Sequence, residues 1–400
     1  MFSQKVTDNL KRSSGIRAMF EEGSLLKKTY GAENVFDFSI GNPDPEPPAE
    51  TKEALKRLVL EDKPGLHWYM SNAGYQDVRE KIAASLNREN GCKLGADNIV
   101  MTVGAGGGLN VILKALLNTG EQVIVFSPFF VEYGFYIDNH SGKMVVIPTD
   151  AETFQPSLET LEKAITPLTK AVLINSPHNP TGVIYKEEIL RRMAALLESK
   201  EREYGTSIFL ISDEPYRDVV YDGAKVPSVL SIFRNAIIGY SYSKSLSLPG
   251  ERIGYVAASD RIEDVEGLIG ALVFANRTLG FVNAPALFQK VIGESIGAKV
   301  DVNIYQERRD ILFNHLTNLG FECIKPQGAF YLFPKCPTED VSDFKARALT
   351  HKIILVPGTS FGCPTHFRLA YCCGVETIKR SLPAWTALAE EIGLKNSGYN

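Results

Sequence analysis

Residues 171–216 decide the fold. An apolar run, Ala171-Val172-Leu173-Ile174-Asn175, meets a stiff turn, Ser176-Pro177-His178-Asn179-Pro180-Thr181-Gly182. A helix-period segment follows from Lys186 to Leu197, and then a second apolar run, Ser207-Ile208-Phe209-Leu210-Ile211-Ser212, ends in Asp213-Glu214-Pro215-Tyr216. Runs that are apolar at successive positions belong to strands covered on both faces, and two of them joined through a helix make the β-α-β unit of a parallel sheet. The alternation extends outward in both directions. Asn98-to-Val103, Gln122-to-Phe126 and Met144-to-Ile147 precede it, and Asn235-to-Ser241 and Arg252-to-Ala257 follow it, with helical segments Leu109-to-Leu117 and Leu158-to-Ala164 between. The pattern predicts an α/β fold whose large domain holds a mostly parallel seven-stranded sheet flanked by helices. Residues 301–400 differ: a charged helical stretch (Tyr305 to Leu319), a hairpin-like Gly328-Ala329-Phe330-Tyr331-Leu332-Phe333, and a last helix around Ile378 to Ile392. They predict a smaller α+β domain. The large domain is expected over 45–290 and the small one over 1–44 with 291–400, including an N-terminal arm, with the Pro-rich stretch Asn42 to Pro48 at the crossing.

A chain of 400 residues is long enough for one large or two ordinary domains with their own cores, and its 44% hydrophobic and 22% charged content is that of a globular protein. The net charge of -4 gives no electrostatic footprint for nucleic acid or anionic membrane, so partners of those kinds are not expected. Residues 1–20 interleave Lys5, Asp8, Lys11, Arg12 and Arg17 with apolar residues, unlike a secretory signal, and no apolar run is long enough to span a bilayer. The six cysteines have no C-x-x-C spacing or regular framework and read as reduced thiols; the six histidines form no ligand cluster, so no metal is expected. The expected location is the cytoplasm.

In open α/β sheets ligands bind beyond the C-terminal ends of the strands. After the first strand stand Gly104-Ala105-Gly106-Gly107-Gly108, then a helix expected from Leu109. Such a run can bring backbone N–H groups onto an anionic phosphate, and is equally a flexible turn. It is no P-loop, since no Lys-Ser/Thr follows, and G-x-G-x-x-G fails at Leu109. After the second strand, Pro128-Phe129-Phe130 offers core packing or a flat face for a heteroaromatic ring. After the fourth, the turn around Asn179 would hold an amide able to donate to a phenolate or carboxylate, where a plain Asn-Pro turn would be solvated. After the fifth, Asp213 is an acid at the end of an apolar strand, costly unless paired. It could serve a protonated pyridine nitrogen or a magnesium-bound nucleotide, and the missing P-loop removes the second. After the sixth come Ser241-Tyr242-Ser243-Lys244, with Arg252 nearby. Most lysines are solvated surface charges. One at a sheet's ligand edge beside another cation has a lowered pKa and becomes nucleophilic, while Ser241, Ser243 and Arg252 suit a phosphate.

In this order the residues resemble the fold-type-I pyridoxal-phosphate (PLP) aminotransferases of class I/II, the aspartate-aminotransferase-like group. The match runs over nearly the whole chain: Ser39-Ile40-Gly41-Asn42-Pro43, Tyr69 with Gly74, Asn179-Pro180-Thr181-Gly182, Asp213 with Tyr216, Ser241 to Lys244, Arg252, and Phe367-Arg368-Leu369. The resemblance implies that Lys244 carries the cofactor as a Schiff base and then works as acid and base at the substrate α-carbon. It implies that Asp213 pairs with the pyridinium nitrogen, that Tyr216 and Asn179 bond the ring's phenolate oxygen, and that Phe130 stacks on the ring. The phosphate would be held by the Ala105 and Gly106 backbone, Ser241, Ser243 and Arg252, with Tyr69 reaching in across a homodimer. Arg368 would bind the substrate carboxylate, near the Gly41 backbone and Asn179. Two departures stand out: Gly106 and Gly107 replace the Ser, Thr or Gln frequent in the phosphate loop, and Phe130 replaces Tyr or Trp.

The expected function is therefore transfer of an amino group between an L-amino acid and a 2-oxo acid. A lyase of the same fold, cleaving C–S bonds or resembling aminocyclopropane-carboxylate synthase, is an alternative that the PLP residues do not separate. A non-catalytic PLP-fold regulator is opposed by the absence of basic charge, and a nicotinamide dehydrogenase by the failed glycine spacing. Donor choice stays open; Arg277 is the candidate second cation for a dicarboxylate.

Overall fold

The structure, a computed structural model, describes residues 2–394, and residues 11–22 by their backbone alone. Seven strands form the central sheet: β1 (Ile99–Thr102), β2 (Gln122–Ser127), β3 (Lys143–Pro148), β4 (Thr169–Asn175), β5 (Phe209–Asp213), β6 (Ala236–Ser241) and β7 (Gly254–Ala258). Their spatial order is β1-β7-β6-β5-β4-β2-β3; β3, β2, β4, β5 and β6 run parallel, and β7 is antiparallel to both β6 and β1. The fold is thus the expected α/β architecture with a mostly parallel sheet.

The strands are apolar at successive positions because both faces carry a core. Along β2, Val123 and Val125 pack on one face while Ile124 and Phe126 pack on the other. Along β4, Ala171 and Leu173 oppose Val172 and Ile174 in the same way. The side-chain period of two sorts a continuous apolar run into two layers.

Two local expectations are corrected. The helix after β1 spans Gly104–Leu116, so the glycine run is its first turn and not a linker before Leu109. Packing explains this: a Cβ on Gly107 would lie 2.4 Å from Val103 Cγ2, and one on Gly108 3.1 Å from Val256 Cγ2. Glycine lets this turn press onto the sheet. The segment 328–333 is not a hairpin either; its strand, Tyr331–Leu332, pairs antiparallel with Phe367–Ala370, which pairs with Val356–Pro357.

That three-stranded sheet sits on a further core with Phe38, Leu312, Phe344, Phe367 and Trp385. The helices Asn303–Asn318 and Val375–Glu391 border it, and Tyr216 and Tyr221, just beyond β5, reach into it. Asp44, in the Pro-rich stretch, bonds Arg308 of the first of these helices. Among the described residues no helix is long and apolar enough to cross a membrane.

Candidate active site

Lys244 sits on a one-turn helix, Tyr242–Ser245, directly after β6. Ser241 Oγ accepts from the Ser243 N–H at 3.3 Å and so caps that turn. The Lys244 ammonium donates to the Gly41 carbonyl at 2.7 Å and lies 5.3 Å from the Phe330 ring centroid. Burial pushes its pKa down to about 8; Arg368 and Arg252 add to the fall and Cys372 opposes it. An amine so poised is an available nucleophile and base near neutral pH.

Asp213, the last residue of β5, is buried. Its Oδ2 accepts from the Tyr133 hydroxyl at 2.7 Å, and its Oδ1 is buried with no hydrogen-bond partner among the described residues. Burial lifts the carboxyl to about 7; the Tyr133 bond pulls it down and Glu214 pushes it further up. Asn175, ending β4, ties this strand to the next turn: its Nδ2 donates to the Asp213 carbonyl at 2.7 Å and its Oδ1 accepts from the Asn179 N–H at 2.6 Å. The Tyr216 and Tyr331 hydroxyls share a 2.7 Å hydrogen bond.

Arg368 projects from the strand Phe367–Ala370, donating from Nη1 to Asn179 Oδ1 at 3.1 Å and from Nη2 to the Ser39 carbonyl at 2.7 Å. Its guanidinium carbon lies 4.6 Å from the Tyr331 ring and 4.8 Å from the Phe361 ring, and its Nε is buried without a hydrogen-bond partner among the described residues. At the N-terminus of the helix Gly104–Leu116, Gly104 adopts φ +74°, and a Cβ there would come 3.0 Å from Arg252 Nη2 and 3.4 Å from Ser241 Oγ. Ser241 Oγ and Ser243 Oγ are 2.7 Å apart. A guanidinium, two hydroxyls and a helix N-terminus converging on one point make an anion cradle.

These groups line a single cavity of about 400 Å³. Of the residues expected from the sequence, it brings together Gly41, Ala105, Gly106, Phe130, Asn179, Asp213, Tyr216, Ser241, Ser243, Lys244, Arg252 and Arg368. Tyr69 is outside it and 89% exposed. Arg277 is also outside, exposed on the helix Val265–Thr278, 5.4 Å from the Phe274 ring. The sequence did not point to Glu132, Tyr136, Asn175, Tyr331 or Phe361, which line the cavity, or to Tyr133, which holds Asp213. Only for Tyr133 and Tyr136 was there a signal, the aromatic spacing after Phe129-Phe130.

Comparison with known proteins decides the family. The family model described as aminotransferase class I and II matches residues 33–382. The chain belongs to the class I and II aminotransferases. An aminotransferase crystal structure from Eubacterium rectale superposes with a TM-score of 0.94 at 42% identity, over 98% of this chain and 99% of that one. The aspartate aminotransferase of Thermotoga maritima is 32% identical, over 90% of this aminotransferase and 92% of the relative. An aromatic-amino-acid aminotransferase of Thermococcus litoralis is 30% identical, over 92% and 95%. Members of the family use pyridoxal 5'-phosphate. The residues of this aminotransferase fit that group. The Asp213 oxygen without a partner matches a protonated ring nitrogen, the cradle at Gly104 matches a phosphate, and the lowered Lys244 amine matches an aldehyde.

Proposed function

We propose that this PLP-dependent aminotransferase moves an amino group from an L-amino acid to a 2-oxo acid, with Lys244, Asp213 and Arg368 as its central residues. The observation that carries the assignment is the buried Asp213 oxygen with no partner, in the same cavity as an amine lowered to about 8. When bound, pyridoxal 5'-phosphate supplies an aldehyde for the amino group and a protonated ring that accommodates the electron pair left at the substrate α-carbon. Lys244 would hold the cofactor through Nζ and would move the proton at the substrate α-carbon. Asp213 keeps the ring nitrogen protonated, a cation being what its desolvated carboxylate lacks. With its Oδ1 engaged by Arg368, Asn179 would have its amide N–H group to donate to the ring's phenolate oxygen, with Tyr216 as second donor. Phe130 stacks on the ring. Ser241, Ser243, Arg252 and the backbone at Ala105 and Gly106 hold the phosphate. Arg368 orients the substrate α-carboxylate as a fork beside the Gly41 backbone.

The exposure of Tyr69 suits a homodimer in which it completes the partner's phosphate site. A division into a large domain over 45–290 and a small one over 1–44 and 291–400 fits the separate core around Trp385. Six free cysteines suit a reducing cytoplasm. The test is borohydride reduction of the PLP-loaded protein followed by peptide mass spectrometry. The pyridoxyl adduct is expected on Lys244, and the unreduced protein should lose its yellow colour with an amino donor and regain it with a 2-oxo acid. An adduct on another lysine, or pyruvate or ammonia release without an acceptor, overturns the assignment.

A further inference from the structure

We propose that Tyr331 is a positioning residue for the cofactor: its hydroxyl donates to the Tyr216 hydroxyl, and so aims and strengthens the hydrogen bond from Tyr216 to the phenolate oxygen of pyridoxal 5'-phosphate. This rests on the role given to Tyr216 above and deepens it. The two hydroxyls lie 2.7 Å apart, and both residues are buried. Both belong to one protomer, so the pair does not depend on what a partner subunit brings to the cavity they line. Four neighbours fix the Tyr331 side chain. Its backbone sits in the three-stranded sheet opposite Ala370. Its ring lies 4.6 Å from the Arg368 guanidinium carbon and meets the Tyr216 ring edge-on, with centroids 5.6 Å apart. Its hydroxyl occupies the room left by Gly41, where a Cβ would stand 2.1 Å from that oxygen. Phenylalanine would fill the same ring position; the space cleared at Gly41 is space for the oxygen.

The direction of the bond follows from the proton count. A phenol carries one proton. With the Tyr216 proton given to the phenolate oxygen, the proton between the two tyrosines is that of Tyr331, and the Tyr216 oxygen accepts it. Burial raises both phenols, Tyr331 to about 12 against the pull of Arg368, so both protons are in place at neutral pH. Accepting one hydrogen bond makes Tyr216 a stronger donor of the other, because linked hydrogen bonds polarise one another. The Arg368 charge beside the Tyr331 ring acts in the same direction. A donor at the phenolate oxygen draws electron density from the cofactor, and the nitrogen joined at Lys244 then gives up its proton at lower pH. Weakening that donor must raise the midpoint.

The test titrates the visible absorbance of the PLP-loaded protein against pH in wild type, Tyr331→Phe, Tyr216→Phe and the double variant. Each substitution keeps the ring and removes one hydroxyl, and the double variant removes both partners of the bond and strands neither oxygen. Tyr331→Phe should raise the midpoint by about half to one pH unit, the weight of one ordinary buried hydrogen bond. Tyr216→Phe should raise it by about one to two pH units, the weight of a bond to a charged oxygen. The double variant should match Tyr216→Phe, because Tyr331 acts only through Tyr216. An unmoved midpoint in Tyr331→Phe, beside a raised one in Tyr216→Phe, overturns the role of Tyr331 and leaves that of Tyr216 standing. A Tyr331→Phe shift that persists in the Tyr216→Phe background overturns it as well, since the effect would then travel by another route. An unmoved midpoint in Tyr216→Phe itself overturns the placing of Tyr216 at the phenolate.

Discussion

Replacing Asp213 by Asn should stabilise the cofactor-free chain and cripple the loaded enzyme. Burial lifts this carboxyl from an ordinary 3.8 to about 7, against the pull of the Tyr133 hydroxyl. A rise of roughly three pH units carries about 4 kcal/mol for keeping the group ionised, an upper bound because a folded chain can relax or admit water. The direction follows from proton binding. Below pH 3.8 the carboxyl is protonated in both folded and unfolded chains and costs nothing. As the pH climbs from there to about 7, the unfolded chain releases its proton and the folded chain keeps it, so stability falls; above about 7 the loss is complete and constant. An Asn side chain cannot ionise, and its carbonyl can still accept from Tyr133. Urea denaturation of the cofactor-free proteins should therefore show Asp213→Asn gaining on wild type by roughly 2–3 kcal/mol more at pH 8 than at pH 5. With PLP bound the order reverses, because the carboxylate then has a cation to face. Transamination should drop by about 10²-fold or more when that charge is removed. A stability gain that is the same at both pH values would refute the buried, uncompensated carboxylate. Full activity in the variant would refute its service to the ring nitrogen.

Arg368→Lys keeps the charge and loses the planar fork now divided between Asn179, Ser39 and two aromatic rings. One or two charge-assisted hydrogen bonds are at stake, so donor KM should rise by about 10–100-fold with a smaller change in kcat; an unchanged KM would remove Arg368 from carboxylate binding. Gly107→Ala would set a Cβ 2.4 Å from Cγ2 of Val103, the N-cap of the same helix, and must displace that side chain or distort the helix's first turns. It should cost about 1–3 kcal/mol in thermal unfolding and weaken PLP affinity in equilibrium dialysis, and a variant of wild-type stability would contradict the close packing of that turn.

The sheet and its ligand edge were legible because strand ends announce themselves. Lys244, Asp213 and the Asn179 turn each directly follow an apolar run, and order along the chain then becomes order across the site. What escaped depends on contacts between distant segments. Tyr331 reaches Tyr216 only because the stretch before it folds back, with the Gln327 and Gly328 N–H groups both donating to the Gly182 carbonyl at 2.9 and 3.0 Å. No period in the sequence encodes that return. The glycine run was misjudged for a related reason. Local propensity reads five residues with four glycines as a loop, and the demand for close approach to Val103 and Val256, visible only in three dimensions, makes them helix. Glu132 carried no signal, since a lone acid in a sequence is normally a solvated one.

The two cores divide the chemistry between them. Lys244, Asp213, Ser241 and the cradle at Gly104 hang on the ends of the central sheet, whereas Arg368 and Tyr331 belong to the three-stranded sheet around Trp385. The segment 39–41 joins the halves: the Ser39 carbonyl accepts from Arg368 and the Gly41 carbonyl from Lys244. Glycine is required in that bridge, because a Cβ at position 41 would lie 2.1 Å from the Tyr331 hydroxyl. On the proposed roles, the cofactor is then anchored by the first core and the donor's carboxylate by the second. On the domain division proposed above, substrate binding would align the two parts through three residues of irregular backbone. A small shift of the second core would move Arg368 without disturbing the bond at Lys244.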